Sequence, residues 1–308
     1  MQELLRTPFD FKKLYGPQRT LAKRAAVTGF GFWTGKDVLL EFLPAPENFG
    51  IRFSRTGSDQ EAVPALLKYR ADKPHQSSLT AGGLRFDMVE HLLAALAGLR
   101  IDNCLIRIDG EEMPGIDGSA RAFTEAIREA GVAAQGETKR VLAVREPVRL
   151  EWDWGWIEAL PSPKGEISYR YELDYTKHES PSAALQKEIF EISFSAESGF
   201  APESAPSLFQ REVASARTFL TEAEAHKLLE LGLCTRVTPQ DVLVFDAEGP
   251  VGNTLRYPDE CARHKVLDMM GDFYLGGGLV IAQFRAHCTG HVQNAALLKK
   301  ILEQTEPV

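Results

Sequence analysis

The segment from 263 to 272 carries one histidine and two carboxylates at helical spacing. It reads RHKVLDMMGD, so His264, Asp268 and Asp272 recur every four residues. On an α-helix this spacing puts all three side chains on one face. A histidine and a carboxylate one turn apart can bind the same metal ion. The same spacing is also typical of a solvated ion pair, and this segment alone leaves both interpretations open.

A second apolar helical segment also begins with a histidine. His91 lies seven residues before Gly98, just as His264 lies seven residues before Gly271. The elements that follow correspond as well: strand-like runs at 104–108 and 279–284, then amphipathic helices at 120–130 and 293–303. This correspondence predicts an internal duplication of two α+β halves.

The duplication predicts where a metal site would form. If the halves pack about a pseudo-twofold axis, their equivalent histidines converge at the interface. We therefore expect a three-ligand metal site of His91, His264 and Asp268 there.

Composition limits the class of protein. The chain has 308 residues, of which 44% are hydrophobic and 25% charged, values typical of a globular protein large enough for two domains. A net charge of −8 argues against nucleic acid as the main partner. No run approaches the ~20 apolar residues of a membrane-spanning helix, and the amino terminus lacks the apolar segment of a secretory signal. The four cysteines have no CxxC spacing and indicate free thiols in a reducing cytoplasm.

Changes in composition along the chain predict its domain organisation. Residues 1–17 form an amino-terminal extension, 18–136 a first α+β domain and 137–308 a second one. The second domain contains an insert, 220–252, that has no counterpart in the first half. An insert beside a duplicated core is a candidate for substrate selection. The glycine-rich stretch 28–36 predicts a hairpin and, without a following GK[ST], not a phosphate-binding loop.

Several short segments occur in order from residue 18 almost to the carboxyl terminus. They are QRTL at 18–21, GxG at 29–31 with TGK at 34–36, VEHL at 89–92, IDGSA at 116–120, ARTF at 216–219, LRY at 255–257, RHKxLDxxGD at 263–272 and GHxxN at 290–294. Together they resemble the zinc-dependent UDP-3-O-acyl-N-acetylglucosamine deacetylases of lipid A synthesis. The resemblance implies an α+β fold of two duplicated β-α-α-β sandwich domains with helices packed between sheets.

The resemblance also implies a role for each site residue. His91, His264 and Asp268 would be the zinc ligands, which leaves one coordination position open for water. Glu90 would be the general base, and His291, oriented by Asp272, would protonate the leaving amine or stabilise the oxyanion. The remaining members of the set would contact the substrate: Thr218 at the amide carbonyl, with Lys265 and Phe219.

Each of these roles has a simpler alternative. Glu90 could instead complement a helix dipole, and Asp272 could cap a helix or pair with any nearby base. Lys265 could be solvated. Thr218 and His291 could be ordinary turn residues.

The sequence departs from the family pattern mainly around the insert. Phe32-Trp33 stands where Leu-His is usual, and Met88 stands in place of a threonine. Cys261-Ala262 replaces Phe-Val before Arg263. The segment 234–241, CTRVTPQD, replaces a Gly-Gly-Ser turn. In the family this insert shapes the passage for the acyl chain, so the acyl-chain preference stays open.

We therefore expect a cytoplasmic, monomeric zinc amidohydrolase that removes acetate from acylated UDP-N-acetylglucosamine. Two alternatives remain at this point. One is a zinc amidohydrolase acting on another N-acetylated sugar conjugate. The other is a catalytically weak relative that binds a nucleotide-sugar or a lipid precursor.

Overall fold

The computed structural model describes residues 15–177, 184–195 and 207–304. Of the predicted extension, residues 1–14 lie outside the described residues. In the described part of the chain, no helix is long and apolar enough to cross a membrane.

The first half contains one five-stranded sheet and two smaller sheets. Its elements are β1 (Pro17–Leu21), β2 (Ala25–Phe30), β3 (Asp37–Pro44), β4 (Ile51–Arg55), β5 (Val63–Pro64), a 3₁₀ turn (Leu67–Tyr69), β6 (Arg70–Ala71), β7 (Ser78–Ala81), β8 (Leu84–Asp87), α1 (Glu90–Gly98), β9 (Cys104–Ile108), α2 (Arg121–Ala130) and β10 (Val132–Thr138). The large sheet has the order β2-β3-β9-β4-β5, with β9 antiparallel to β3 and parallel to β4. Strands β6 to β8 form one small sheet and β1 pairs with β10.

The second half repeats this plan. Its elements are β11 (Val141–Ala143), β12 (Val148–Trp152), β13 (Gly155–Leu160), β14 (Ile167–Asp174), a 3₁₀ turn (Tyr175–Lys177), β15 (Lys187–Phe194), α3 (Leu208–Glu212), β16 (Phe219–Thr221), α4 (Glu222–Glu230), β17 (Leu243–Phe245), α5 (Glu260–Tyr274), β18 (Leu279–Ile281), β19 (Gln283–His287) and α6 (His291–Gln304). The five-stranded sheet has the order β12-β13-β19-β14-β15, and β19 is antiparallel to β13 and parallel to β14. The predicted α+β duplication is confirmed.

The strands form where buried and half-buried residues alternate along the sequence. Along β13 and β14 every second residue is buried and the residues between are half-buried. A period of two leaves one face of the sheet on the core and the other toward solvent. The helices therefore cover one face of each sheet.

One predicted strand is wrong. The run 279–284 does not form a single strand but divides at Ala282. β18 pairs in parallel with β11, whereas β19 enters the five-stranded sheet. A continuous apolar run does not show a change of sheet, because both strands are largely buried.

The division into an extension and two domains stays a prediction. Its boundaries, 17/18 and 136/137, fall inside β1 and β10, which pair with each other.

Helices α1 and α5 cross in the centre of the molecule. Every residue of α1 from Glu90 to Ala97 is buried, and in α5 only Arg263 and Lys265 escape full burial. The two helices touch at Gly271: a Cβ atom there would lie 2.0 Å from the Glu90 carbonyl oxygen. Only glycine permits so close an approach, and a helix buried on all sides belongs between layers.

This contact yields a prediction for stability. Gly271→Ala should lower the free energy of unfolding by about 1–3 kcal/mol, because the added methyl group must push two helix backbones apart. Urea denaturation measures the loss. Gly136→Ala is the matched control, since its Cβ would meet only the flexible end of the Glu47 side chain, at 3.1 Å. Equal midpoints for Gly271→Ala and the wild type would refute the close contact.

Candidate metal and acid–base site

The three predicted metal ligands lie together where α1 and α5 cross. His91, His264 and Asp268 each offer one ligand atom, and these atoms all lie within 4.8 Å of one another. The Asp268 Oδ1 atom is 3.6 Å from His91 Nε2 and 3.4 Å from His264 Nε2. All three side chains are buried. Among the residues that the structure describes, no other group of three could hold a metal ion.

The hydrogen bonds around these side chains leave the Oδ1 atom of Asp268 available for a cation. The second oxygen of Asp268, Oδ2, accepts a hydrogen bond from Lys265 Nζ at 2.6 Å. Within the described chain Asp268 Oδ1 is buried and has no hydrogen-bond partner. An orphaned buried carboxylate oxygen is costly unless something binds it. A metal ion coordinated by both imidazoles would satisfy it, so the residues fit a metal.

His264 is oriented through its other ring nitrogen. Its Nδ1 lies 3.1 Å from the carbonyl oxygen of Ala216 and, as the N–H tautomer, donates to it. This bond leaves the lone pair of Nε2 facing Asp268 Oδ1, the arrangement usual for a histidine ligand. Burial lowers the pKa of His264 to about 3, against the attraction of Asp268, so the ring stays neutral and able to coordinate.

A second buried cluster adjoins the ligands and contains an acid–base pair. His291 Nε2 lies 3.8 Å from Glu90 Oε1 and 4.0 Å from Asp268 Oδ2. On the opposite side of the ring, Nδ1 is 2.9 Å from Asp272 Oδ2. Glu90 and His291 therefore flank the space next to the ligand atoms, one from α1 and the other from the first residue of α6.

Electrostatics sets the protonation states of this pair. Burial alone would lower the pKa of His291, but the charges of Asp272 and Asp268 outweigh it and raise the pKa to about 9. Burial raises the pKa of Glu90, opposed by the attraction of His291. Burial would also raise the pKa of Asp268, but Lys265 and the histidines hold it well below its usual value. At neutral pH His291 is thus a proton donor and Asp268 an anion.

The remaining predicted residues, Thr218, Phe219 and Lys265, also lie next to the three ligands. Thr218 Oγ1 lies 3.2 Å from His264 Nε2 and also donates to the Gly118 carbonyl. The ring of Phe219 stands edge-on to His264, 6.2 Å between centroids. Lys265 is half-buried, and its ammonium group binds Asp268.

A buried ion pair fixes the turn that carries Thr218. Glu260 is fully buried and accepts hydrogen bonds from the backbone N–H and the guanidinium of Arg217, with a shortest distance of 2.7 Å. Arg217 also binds Asn253 and the carbonyl oxygen of Thr254. These bonds pair the buried charges of Arg217 and Glu260 with each other and with polar partners, as a buried ion pair requires. Thr218 therefore lies in a turn that these bonds hold, immediately before β16.

The sequence assigned no role to Ser77 or to Asn294, although Asn294 ends the GHxxN segment. The Ser77 N–H donates to Glu90 Oε2 at 3.0 Å, and its hydroxyl donates to Asp272 Oδ1 at 2.5 Å. Asn294 Nδ2 donates to Asp272 Oδ2 at 2.8 Å. Asn294 follows His291 within one helical turn, so its spacing was a usable signal. Ser77 stands in a polar turn segment and carries no motif of its own.

The insert contributes few buried residues. Within 220–252, Val242, Leu243 and Phe245 are buried, whereas Leu229 and Leu231 are exposed to 50% and 66%. Four further apolar residues of the insert are half-buried: Leu220, Leu228, Leu233 and Val244. The parallel pairing of β16 with β17 ties the insert to the strand that begins beside Thr218.

Comparison with known proteins finds one family over most of the chain. Residues 18–303 match the family model LpxC, UDP-3-O-acyl N-acetylglycosamine deacetylase. A UDP-3-O-acyl-N-acetylglucosamine deacetylase from Anaeromyxobacter sp. is 37% identical, covering 94% of this chain and 89% of its own. Proteins of the same name from Chlamydia abortus and Neisseria meningitidis are each 35% identical. They cover 94% and 92% of this chain, and 98% and 90% of their own.

Ser77 is expected to position both carboxylates for catalysis. Ser77→Ala should lower kcat about 10-fold, because Asp272 Oδ1 loses its donor and His291 loses its fixed orientation. Ser77→Thr keeps the hydroxyl and should recover most of the rate. Ser78→Ala is the matched control: that side chain is equally buried, but its hydroxyl accepts from Gln76. Steady-state kinetics measures kcat for each variant. Equal kcat values for the two alanine variants would show that Ser77 has no positioning role.

Proposed function

The chain belongs to the UDP-3-O-acyl-N-acetylglucosamine deacetylase family, and from that membership we propose that His91, His264 and Asp268 bind its zinc ion. The enzyme is an N-deacetylase: it hydrolyses the N-acetyl group of UDP-3-O-acyl-N-acetylglucosamine to acetate and the free amine. The observation that carries the zinc assignment is Asp268 Oδ1, a buried carboxylate oxygen that faces two imidazole nitrogens and, in the described chain, accepts no hydrogen bond.

Zinc bound by three protein side chains would polarise the amide carbonyl and lower the pKa of water at its open position. The chain's own residues then move the protons. Glu90 is the base: Ser77 N–H holds its Oε2, which leaves Oε1 directed toward His291 and the space beside the ligands. Burial raises the pKa of Glu90 above its ordinary value, which makes the carboxylate a stronger base.

His291 is the acid in this scheme. Asp272 accepts its Nδ1–H and stabilises the imidazolium, so Nε2 carries the proton that the leaving amine needs. Water adds to the acetyl carbonyl, the C–N bond breaks, the amine takes the proton from His291, and acetate departs. Thr218 and Phe219 would contact the amide and the sugar, and Lys265 would fix the anionic state of Asp268.

The paired strands β16 and β17 carry half-buried apolar side chains close to the site. The substrate's acyl group is attached at the 3-oxygen, one carbon away from the carbon that bears the acetamido nitrogen. We propose that, with the acetamido group at the zinc ligands, the acyl chain leaves past Phe219, whose ring contacts His264. The half-buried Leu220 and Val244 follow on the paired strands β16 and β17. We propose that they line the passage.

We also propose a cytoplasmic location for the enzyme. The four cysteines are free, which supports a reducing cytoplasm. A monomeric state stays a prediction.

Zinc binding is tested by removing each ligand. His91→Ala, His264→Ala and Asp268→Ala should each lower bound zinc well below one per chain, because two ligands are too few to hold it at ordinary zinc concentrations. Metal analysis of the purified variants measures this loss. His226→Ala on the exposed face of α4 is the control. A substitution that leaves both zinc content and acetate release unchanged would exclude that residue as a ligand.

Glu90→Gln separates catalysis from binding. Glutamine keeps the size of the side chain and an oxygen for Ser77 N–H, but it cannot accept a proton. The variant should retain zinc and substrate affinity while kcat falls on the order of 10²–10⁴-fold. Glu188→Gln is the control, since Glu188 also accepts from a backbone N–H, that of Ala262, but lies outside the site. An unchanged kcat would leave Glu90 with a helix-dipole role only.

A further inference from the structure

One residue of the insert reaches across to the first half. Arg236 stands in the turn after α4, where the sequence departs from the family's Gly-Gly-Ser pattern. Its Nη1 atom is 2.6 Å from Asp37 Oδ1 and 3.1 Å from the Gly35 carbonyl oxygen. Its guanidinium carbon lies 4.3 Å from the centre of the Phe30 ring. Gly35 lies in the loop between β2 and β3, and the other two residues flank this loop: Phe30 ends β2 and Asp37 begins β3.

The loop that receives Arg236 is already rigid. The Glu112 carboxylate accepts hydrogen bonds from Trp33 N–H and from the N–H and hydroxyl of Thr34. Gly31 permits this arrangement, because a Cβ there would lie 2.2 Å from Glu112 Oε2. Gly35 has a φ of +63°, and its Cβ would lie 3.4 Å from the Arg236 side chain. Arg236 thus binds a preformed surface.

The insert, by contrast, is weakly anchored at its outer end. Helix α4 starts with a capping box in which Thr221 and Glu224 exchange hydrogen bonds, so it forms locally. None of its nine residues, all described, is buried. A helix without a buried face gains little from packing. Its position therefore depends on the turn that follows it.

A second residue confirms that this turn lies over the loop. Burial, and after it the nearby charge of Glu112, raise the pKa of the Cys234 thiol to about 11. Cys234 itself has a φ of +55°, a conformation that favours glycine. The turn thus approaches the carboxylate that organises the loop, and Arg236 completes the contact from two positions further along the chain.

We propose that Arg236 is a positioning residue that holds the insert against the β2–β3 loop and thereby sets the width of the acyl passage. The proposal rests on the passage assigned above to the insert. At its inner end the insert is continuous with Thr218 and Phe219, whose position the Arg217–Glu260 pair fixes. Arg236 fixes the outer end, so the apolar side chains between the two ends keep a constant distance from the first half.

Loss of the contact should weaken the binding of substrates with long acyl chains and leave the chemical step unchanged. Arg236→Ala should raise KM for the long-chain substrate on the order of fivefold, the scale of one exposed ion pair together with one exposed cation–π contact. Its kcat should change less than twofold, because no residue of the metal or acid–base cluster is touched. A substrate truncated to a short acyl group should show the wild-type KM.

Three variants and one control make the test specific. Asp37→Asn should give part of the effect, and Arg236→Ala combined with Asp37→Asn should be no worse than Arg236→Ala alone, since the two residues act through one contact. Lys227→Ala removes an exposed cation from α4 and should change neither KM nor kcat. A KM that rises equally for long and short chains would overturn the proposal, as would strictly additive effects of the two substitutions.

A second measurement does not depend on activity. Hydrogen–deuterium exchange of residues 231–242 should accelerate in Arg236→Ala and stay at the wild-type rate in Lys227→Ala. Unchanged exchange in Arg236→Ala would overturn the contact itself. Faster exchange with equal KM values for all chain lengths would instead overturn the passage and leave the contact standing, so the two failures can be told apart.

Discussion

The site depends on the close crossing of two buried helices. α1 supplies Glu90 and His91 from its first turn, and α5 supplies His264, Asp268 and Asp272 from one face. A Cβ at Gly271 would collide with the Glu90 backbone, so any larger side chain would separate the helices by more than a metal site tolerates. Zinc–ligand bonds are about 2.0–2.3 Å long, and a shift of one ångström between the helices would therefore break the set. The packing of the core and the geometry of the site therefore depend on the same contact between two helices.

That crossing buries several charges in a small volume, and the hydrogen bonds decide how each is neutralised. Asp272 uses one oxygen for Ser77 and the other for His291 and Asn294. Asp268 uses one oxygen for Lys265 and keeps the other free of hydrogen bonds in the described chain. In the described chain three buried side-chain oxygens lack a hydrogen-bond partner: Asp268 Oδ1, Asn294 Oδ1 and Thr289 Oγ1. Of these, Asp268 Oδ1 is the one that belongs to a carboxylate, and its position beside two imidazole nitrogens supports the proposed cation site.

The sequence was informative where periodicity or spacing expresses a contact. The four-residue spacing of His264, Asp268 and Asp272 placed them on one face of α5, and the repeated histidine–glycine spacing predicted the duplication. Contacts made across the fold left no such pattern. Ser77 is 195 residues from Asp272, and Arg236 is 199 residues from Asp37, so neither pairing could be inferred from local order. The division of 279–284 between two sheets was hidden for a related reason: buried strands on either side of a change of sheet are equally apolar.

The duplication also explains why there is one site and not two. The two sheets have the same strand order, but the helices that follow their central strands begin differently. α6 begins with His291, which enters the site, whereas α2 begins with Arg121, which is exposed and pairs with Glu125 on the surface. The turn before α2 serves the site in another way, since the carbonyl of Gly118 accepts from Thr218. In the proposed mechanism the first half supplies the base, Glu90, and the second half supplies the acid, His291, so neither half alone would hold both groups. The packing of one half on the other is therefore a condition of the proposed catalysis.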